Sequence, residues 1–339
     1  MNLDANLQQI LEKAVSLPNY LGKSMKKALL ALILFLTAYD AGAQVDQTDY
    51  NFLRLPVSVH AAAVGGDNIT LIEDDATLIY HNPALLSSVS DKSITLGYMS
   101  YMEGVKAASA SFSRTVGQRA SWAVSAQYVD YGKMTETDEN NTDLGAFSAH
   151  DISVAGYFSY LLTDRLSGGL APKMIFSYIG GYNSVGFGVD LGLNYYDSEH
   201  EWSISAVAKN LGGQLKAYNE DYEPMPIDFQ IGVSKRLTSI PLRLSLTMVD
   251  LTHWGYAFLD HAVLGAEFLF SDNFWIGAGY NCRRAHEMKI DSSDGKSSSH
   301  GAGLSLGAGL ALQRFHVGVA YGKYHVSSSS LLINLGYNL

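Results

Sequence analysis

The sequence predicts an all-β fold, a transmembrane antiparallel β-barrel of about 14 strands that follows an N-terminal hatch or plug segment. Apolar side chains alternate with small or polar ones along most of the chain, because successive strand residues point to opposite faces. The alternating runs are 10 to 15 residues long. A strand that crosses a bilayer needs about 9–11 residues, whereas strands of soluble proteins usually have about 5–6. A spanning sheet must also close on itself, because lipid cannot pair its backbone polar groups.

The composition suits strands that are apolar on one face only. Of the 339 residues, 47% are hydrophobic and only 17% are charged, against roughly 25% charged residues in an ordinary soluble domain. The mean hydropathy of +0.03 is far too low for a bundle of membrane helices. The net charge of −10 argues against nucleic acid as a partner, since phosphate binding requires a basic face. The single cysteine, Cys282, excludes an internal disulfide.

A secretion signal is expected near the N-terminus. Met25 is followed by two lysines, an apolar run over 28–38 and the small-residue triplet that ends at Ala43. This order predicts a signal peptide over 25–43 that is cleaved between Ala43 and Gln44. The apolar run is shorter than the roughly 20 residues that a membrane helix requires. Residues 1–24 form an extension that we interpret as the product of a misassigned start codon, with Met25 as the true start.

The segment 44–91 lacks the strand pattern and carries turn and short-helix signals instead. We expect it to fold back into the barrel as a hatch, the alternative being a partly flexible periplasmic tail. Asp74 and Asp75 precede a short helix and are favoured as caps for its free N–H groups. Cation binding, or pairing with a lumen cation such as Arg243, remains open for these two residues.

The barrel is expected over 92–339, and its last strand has the clearest alternation. Leu331, Ile333 and Leu335 alternate there with Leu332, Asn334 and Gly336. The fourteen runs with this pattern are 92–101, 105–117, 120–131, 148–162, 165–179, 184–197, 201–210, 226–238, 240–251, 261–271, 273–283, 300–313, 315–324 and 328–339.

The connections between these runs alternate in length. Every second connection is tight, and the other set contains three long loops, over 132–147, 211–225 and 284–299. Barrels of the bacterial outer membrane have short periplasmic turns and long extracellular loops. An even strand number therefore predicts that both termini are periplasmic and that the long loops face the cell exterior.

Motifs for catalysis, cofactors or metals are not found. The ten histidines are scattered without metal-ligand spacing, although weak metal binding by His253 and His261 beside one outer loop is conceivable. The glycine pairs Gly301/Gly303 and Gly307/Gly309 lack the following helix of a phosphate loop and are better explained as small lumen residues beside a plug. No Gly-x-Ser-x-Gly motif occurs. We expect a protein that is not an enzyme, although residue spacing alone does not exclude a hydrolase with Ser and His on the barrel wall.

A family resemblance is carried by the hatch segment. Gly65-Gly66, the acidic step Asp74-Asp75-Ala76 and the triplet Asn82-Pro83-Ala84, all before a barrel of about 14 strands, resemble the FadL-type outer-membrane proteins. In that family the N-terminal stretch forms a hatch inside the lumen. The stretch 51–86 resembles more closely a branch that serves the type IX protein secretion system of the Bacteroidetes. Residues 1–24 and the non-aromatic last residue, Leu339, depart from the pattern.

The resemblance leaves two main functions. The branch implies a non-enzymatic component of the attachment complex, which holds a PorZ-like surface protein beside the sortase PorU and the barrel protein PorV. The outer loops would then bind the partner, with Tyr218 and Tyr222 as candidate contacts, because aromatic residues are enriched at binding hot spots.

The wider family implies a passive transporter of hydrophobic small molecules instead. Transport predicts an apolar route through the lumen and a movable hatch, which the Gly, Ser, Asn and Asp residues on the predicted lumen faces disfavour. A structural barrel with no specific partner is the third reading.

Overall fold

The computed structural model describes residues 48–339, except for 141, 254, 256, 272, 292–296, 326 and 327. The predicted extension over 1–24, the signal peptide over 25–43 and the cleavage pair Ala43 and Gln44 lie outside the described residues. Among the described residues, no helix is both long and apolar enough to cross a membrane.

The hatch, residues 48–91, is built from short helices joined by extended chain. It contains 3-10 helices at Asn51–Arg54, Ala76–Tyr80 and Pro83–Ser88 and the α-helix α1 at Val59–Ala63. Polar residues begin three of these helices because their side chains satisfy the free N–H groups of the first turn. Ser58 accepts from the Ala61 N–H, Asp75 from Thr77 and Asn82 from Ala84.

Fourteen antiparallel strands close into one barrel in which β1 pairs with β16. This confirms the predicted fold class and strand number. The barrel strands are β1 Ser93–Ser100, β2 Lys106–Val116, β3 Ala120–Thr137, β4 Asp143–Leu161, β5 Leu166–Ile179, β6 Tyr182–Asp197, β7 Trp202–Lys216, β8 Asp228–Arg236, β9 Leu242–Met248, β10 Ala262–Ser271, β11 Phe274–Asn281, β14 Leu304–Leu312, β15 Phe315–Gly322 and β16 Ser330–Asn338. A two-stranded hairpin, β12 Ile290–Asp291 and β13 Ser297–Ser298, stands apart from the barrel.

The two faces of the wall have opposite chemistry. On β16, Leu331 and Leu335 are exposed on the outside, whereas Leu332 and Asn334 are buried inside. Large apolar residues point outward on all fourteen barrel strands, and many inward positions carry Ser, Thr, Asn or Gly. An outer surface of this kind is stable in lipid and unstable in water.

The two ends of the barrel also differ. Tight turns and both barrel termini, Ser93 and Asn338, lie at one end, which we call the short-turn end. The opposite long-loop end carries the connections β3–β4, β7–β8, β9–β10 and β11–β14.

Two of the three predicted long loops are shorter than expected because strand pairing continues beyond the predicted ends. β3 runs to Thr137 and β4 begins at Asp143, which leaves only 138–142 as the loop of an extended ribbon. The Asp138 carboxylate closes that turn by accepting from the N–H groups of Asn140 and Thr142, each at 2.8 Å. Likewise β7 continues to Lys216, so its loop spans 217–227.

The third predicted loop, 284–299, contains regular secondary structure. It contains most of the α-helix α2, Cys282–Glu287, and the β12–β13 hairpin. Asn281 caps α2 by accepting from the Arg284 N–H. β14 begins at Leu304 rather than near residue 300, because His300, Gly301 and Gly303 adopt positive φ angles that break the strand.

Candidate lumen pathway and hatch

The candidate site is the barrel lumen together with the hatch that fills it. Helix α1 and the turn after it lie against a wall of glycines on β10, β11 and β14. A Cβ atom at Gly279 would stand 2.1 Å from the Gly65 nitrogen, and one at Gly307 would stand 2.7 Å from the Ala63 Cβ. The lumen glycines therefore admit the hatch backbone at distances that any larger residue would block.

The triplet Asn82-Pro83-Ala84 is seated in the same way on β4, β5 and β6. A Cβ atom at Gly169 would lie 2.3 Å from the Pro83 carbonyl carbon, and one at Gly192 would lie 2.1 Å from the Asn82 Oδ1. Buried Asn82 accepts from the Ala84 N–H at 2.9 Å and donates to the Ile69 carbonyl at 3.0 Å. The triplet is thus hydrogen-bonded to the hatch chain at Ile69, and it packs against the wall where Gly169 and Gly192 leave space for it.

The acidic residues Asp74 and Asp75 have different partners. Asp75 caps the following 3-10 helix by accepting from the Thr77 N–H at 2.8 Å. Asp74 accepts from the Ser90 N–H at 2.7 Å and from Asn338 at the end of β16 at 3.0 Å. Arg243, proposed as a possible partner for this pair, contacts the neighbouring Glu73 instead.

A buried ionic cluster joins the hatch to the wall, and we call it the latch: His60 and Glu73 of the hatch with Arg243 of β9 and Glu267 of β10. His60 Nε2 contacts one Glu267 carboxylate oxygen, and Arg243 Nε lies 3.5 Å from the other. The His60 ring also stacks on Trp275, with 3.9 Å between ring centroids. Burial by itself would lower the pKa of His60, but the Glu267 carboxylate outweighs burial and raises that pKa overall.

A second buried ion pair belongs to the wall alone. Lys173 of β5 donates to the Asp190 carboxylate of β6 at 2.7 Å and to the Asn210 side chain of β7 at 2.9 Å. Asp190 also accepts from the Asn210 N–H at 2.7 Å. This contact fixes the spacing of three neighbouring strands at mid-lumen.

An apolar column runs along the lumen despite these polar groups. It is one contiguous cluster to which the hatch contributes Tyr50, Phe52, Val59, Ala62 and Ala63 and to which the wall contributes Met99, Ala107, Val129, Ile175, Met225, Ala320, Tyr324 and Leu332. Tyr101 and Tyr131 pack against it near the long-loop end, and Trp275 packs against it near the short-turn end. At the short-turn end a cleft of about 160 Å³ opens beside Val59, His60 and Trp275. The column is continuous, and hatch side chains occupy it.

The two predicted loop contacts take different positions. Tyr222 is 65% exposed on the β7–β8 loop. Tyr218 is partly buried, and its hydroxyl donates to Ser177 of β5 in the lumen. Ser177 in turn donates to Asp151, so Tyr218 belongs to an internal hydrogen-bond chain.

The two histidines considered as metal ligands each contact another protein group. His253 Nδ1 lies 2.6 Å from Asp250, and buried His261 lies 2.8 Å from the Val249 carbonyl. Among the described residues, Asp197, Glu199 and His200 form a group with metal-ligand spacing, on an exposed turn.

The latch was missed at the sequence level. Glu267 is the signal that could have found it, because it is a lone carboxylate at an inward position between Ala266 and Phe268. A charge on a lumen face needs a partner.

The geometry defines the class of protein: a closed 14-stranded β-barrel with an apolar outer wall and an internal hatch, which is the fold of FadL-like outer-membrane barrels. No protein-family model matches the sequence. No curated protein matches it either.

Solved structures of outer-membrane channels share the fold. One is the "CymD monoaromatic hydrocarbon channel", with a TM-score of 0.57, 15% identity, and coverage of 84% of this chain and 97% of that one. The toluene transporter TodX of Pseudomonas putida has a TM-score of 0.53 and 13% identity, with coverage of 83% and 97%. A FadL homologue of Pseudomonas aeruginosa has a TM-score of 0.50 and 9% identity over the same shares. At these identities the likeness concerns the fold alone.

Proposed function

We propose that this chain is a passive channel of the bacterial outer membrane for hydrophobic small molecules, kept closed by its own hatch. The observation that carries the proposal is the apolar column from Tyr101 near the long-loop end to Trp275 near the short-turn end. Because Phe52 and Val59 of the hatch occupy this column, an apolar solute would pass only when the hatch moves. On this proposal the polar residues of the inner wall contact the hatch and do not line the path of the solute.

Two further observations support the proposal. The exposed outward rows of Leu, Val, Ile and aromatic residues suit burial in lipid, and we propose that both barrel termini face the periplasm. The structures that share the fold are named as a monoaromatic hydrocarbon channel and a toluene transporter. We therefore propose a small apolar solute such as a monoaromatic hydrocarbon.

The test is to lock the hatch by a disulfide. Val59 and Gly318 are suited to it, because a Cβ atom at Gly318 would lie 3.3 Å from the Val59 Cβ, close to the roughly 3.5–4.5 Å of disulfides. The double variant Val59→Cys/Gly318→Cys would carry Cys282→Ser so that no third thiol interferes. Uptake of labelled toluene by intact cells that carry the protein in their outer membrane should be lost on oxidation and restored on reduction.

The controls are the reduced double variant and the Cys282→Ser protein under oxidising conditions, both of which should transport. Toluene uptake that is equal in cells with the locked protein, with the unlocked protein and without the protein would overturn the proposal.

The second candidate is a non-enzymatic anchor of a surface protein. It is supported by the resemblance of the stretch 51–86 to PorQ, the type IX secretion branch, and by the β3–β4 ribbon, whose acidic loop 138–142 projects at the long-loop end. On this proposal the ribbon and Tyr222 would hold a PorZ-like partner of the attachment complex with PorU and PorV.

This candidate is tested by crosslinked pull-down from native outer membranes with the full chain and with variants that lack 138–142 or 218–224. The expected result is a surface-exposed secretion protein that is lost when the loops are removed. Recovery of the barrel alone would refute the anchor and leave the channel proposal standing.

A further inference from the structure

A small, largely enclosed cavity lies between the hatch and the wall strands β3 to β7. Its polar lining includes Arg54, His81, Tyr157, Lys173, Asp190 and Lys209. Its volume is about 20 Å³. Because a single water needs roughly 10–15 Å³, the cavity has room for one water or one monatomic ion.

The unusual member of the lining is His81, next to the Asn82-Pro83-Ala84 triplet. Its side chain is 4% exposed, and neither ring nitrogen has a hydrogen-bond partner among the described residues. Buried polar groups are almost always paired, since an unpaired one loses the hydrogen bonds it made with water. The cavity beside His81 therefore calls for an occupant that can pair with the ring.

The charges around the cavity indicate the sign of that occupant. Three cations line it, Arg54, Lys173 and Lys209, against two carboxylates, Asp67 and Asp190.

Most of these charges are already engaged. Lys173 is bound to Asp190 at 2.7 Å, and Asp67 accepts from Asn281 at 3.1 Å. Within the described part of the chain, neither Arg54 nor buried Lys209 has a carboxylate within 4 Å.

One further carboxylate is near enough to act on Lys209. Asp228 of β8 interacts electrostatically with the lysine. It is otherwise engaged, because it accepts from the Gln230 side chain and from the Asp250 N–H, each at 2.6 Å. Asp228 therefore neutralises Lys209 only in part.

We propose that this cavity is a binding site for a small inorganic anion of chloride size, held between Arg54 and His81 of the hatch and Lys209 of β7. Burial and the nearby Lys209 lower the pKa of His81, so the ring is neutral and offers one N–H donor to the anion. The anion bridges hatch and wall at mid-lumen. Its loss leaves buried Lys209 and partly buried Arg54 without this shared partner and weakens the attachment of the hatch to the wall.

The direct test is anomalous diffraction from crystals of the full-length mature protein soaked in bromide. The expected result is a bromide peak in the cavity, within contact distance of the His81 ring and the Lys209 ammonium. A cavity that holds only water, with bromide confined to the outer surface, would overturn the proposal.

A second test uses thermal melting of the detergent-solubilised protein in chloride and in gluconate, which is too large for the cavity, at equal ionic strength. Ligands that bind only the folded state raise the melting temperature with their concentration. The wild type should melt higher in chloride, and Lys209→Met should lose that difference. Lys106→Met, which removes an exposed cation from the rim of β2, should keep it.

An equal chloride effect in Lys209→Met and Lys106→Met would refute the assignment of Lys209, and no effect in the wild type would refute the site. The bromide measurement needs no variant, so it decides the question even if Lys209→Met fails to fold.

Discussion

At the scale of single residues, glycine decides where the hatch can lie. Gly279 and Gly307 sit on neighbouring strands, and both face the chain around Ala63 to Gly65 at distances below normal contact for a Cβ atom. Gly169 and Gly192 do the same for the Asn82-Pro83-Ala84 triplet. The wall therefore carries glycine at the positions where these two hatch segments pack against it most closely.

Gly279→Ala should displace the hatch, because the new methyl group would lie 2.1 Å from the Gly65 nitrogen. Overpacking of this kind costs about 1–3 kcal/mol. We expect faster proteolysis of 48–91 and a lower melting temperature in detergent. The matched control is Gly156→Ala on β4, where nothing lies within 4 Å of the added atom. Equal protease sensitivity in the two variants would contradict this role of Gly279.

At the scale of elements, the latch makes the attachment of α1 to β9 and β10 dependent on pH. The pKa of His60 is raised above 6.5 in the folded protein, chiefly by the Glu267 carboxylate acting against burial. A raised pKa means that protonated His60 stabilises the folded state. This stabilisation is fully present below pH 6.5 and is lost as pH rises through the folded-state pKa.

Protection of the hatch from protease should therefore decrease as the pH is raised from 6 towards 9. His60→Gln should remove most of this dependence, because glutamine keeps a polar contact but does not titrate. His200→Gln, on the exposed β6–β7 turn, should behave as the wild type. Protection that increases with pH would show that His60 is neutral in the folded protein.

At the scale of the whole molecule, the closed barrel presents an apolar wall to its surroundings. Leu335 lies near the middle of β16 and is exposed on the outside, whereas Leu162 lies in the turn after β4 at the short-turn end. Substitution of each leucine by arginine therefore compares the cost of a charge near the middle of the barrel wall with its cost at the short-turn end.

Leu335→Arg should destabilise the protein in lipid by about 2–4 kcal/mol, and Leu162→Arg by only about 0–1 kcal/mol, because the cost of a charge falls towards the membrane interface. Folding equilibria in lipid vesicles with denaturant would measure both. Equal costs for the two arginines would place β16 outside the membrane.

Much of the barrel was predictable at the level of elements. Alternation of period two identified all fourteen strands, because each strand is apolar towards lipid whatever its neighbours are. The sequence pattern overestimates the length of the loop 132–147, since the alternation weakens towards its ends and only the backbone pairing of β3 with β4 extends the ribbon to Thr137 and Asp143. The side-chain cap of Asp75 is predictable from the local sequence, because a cap needs only residues two or three positions away.

Strand number, the two faces of each strand and the alternation of short and long connections follow from the local sequence, because they depend on neighbouring residues and on lipid as solvent. Which residues meet in the lumen depends instead on contacts between distant parts of the chain. His60 and Glu267 are 207 positions apart, and the Asn82 side chain reaches the Leu193 carbonyl only because the hatch returns into a closed barrel. Closure brings fourteen strands around one axis, so the contacts of the hatch follow from the register of the whole sheet and not from any local pattern.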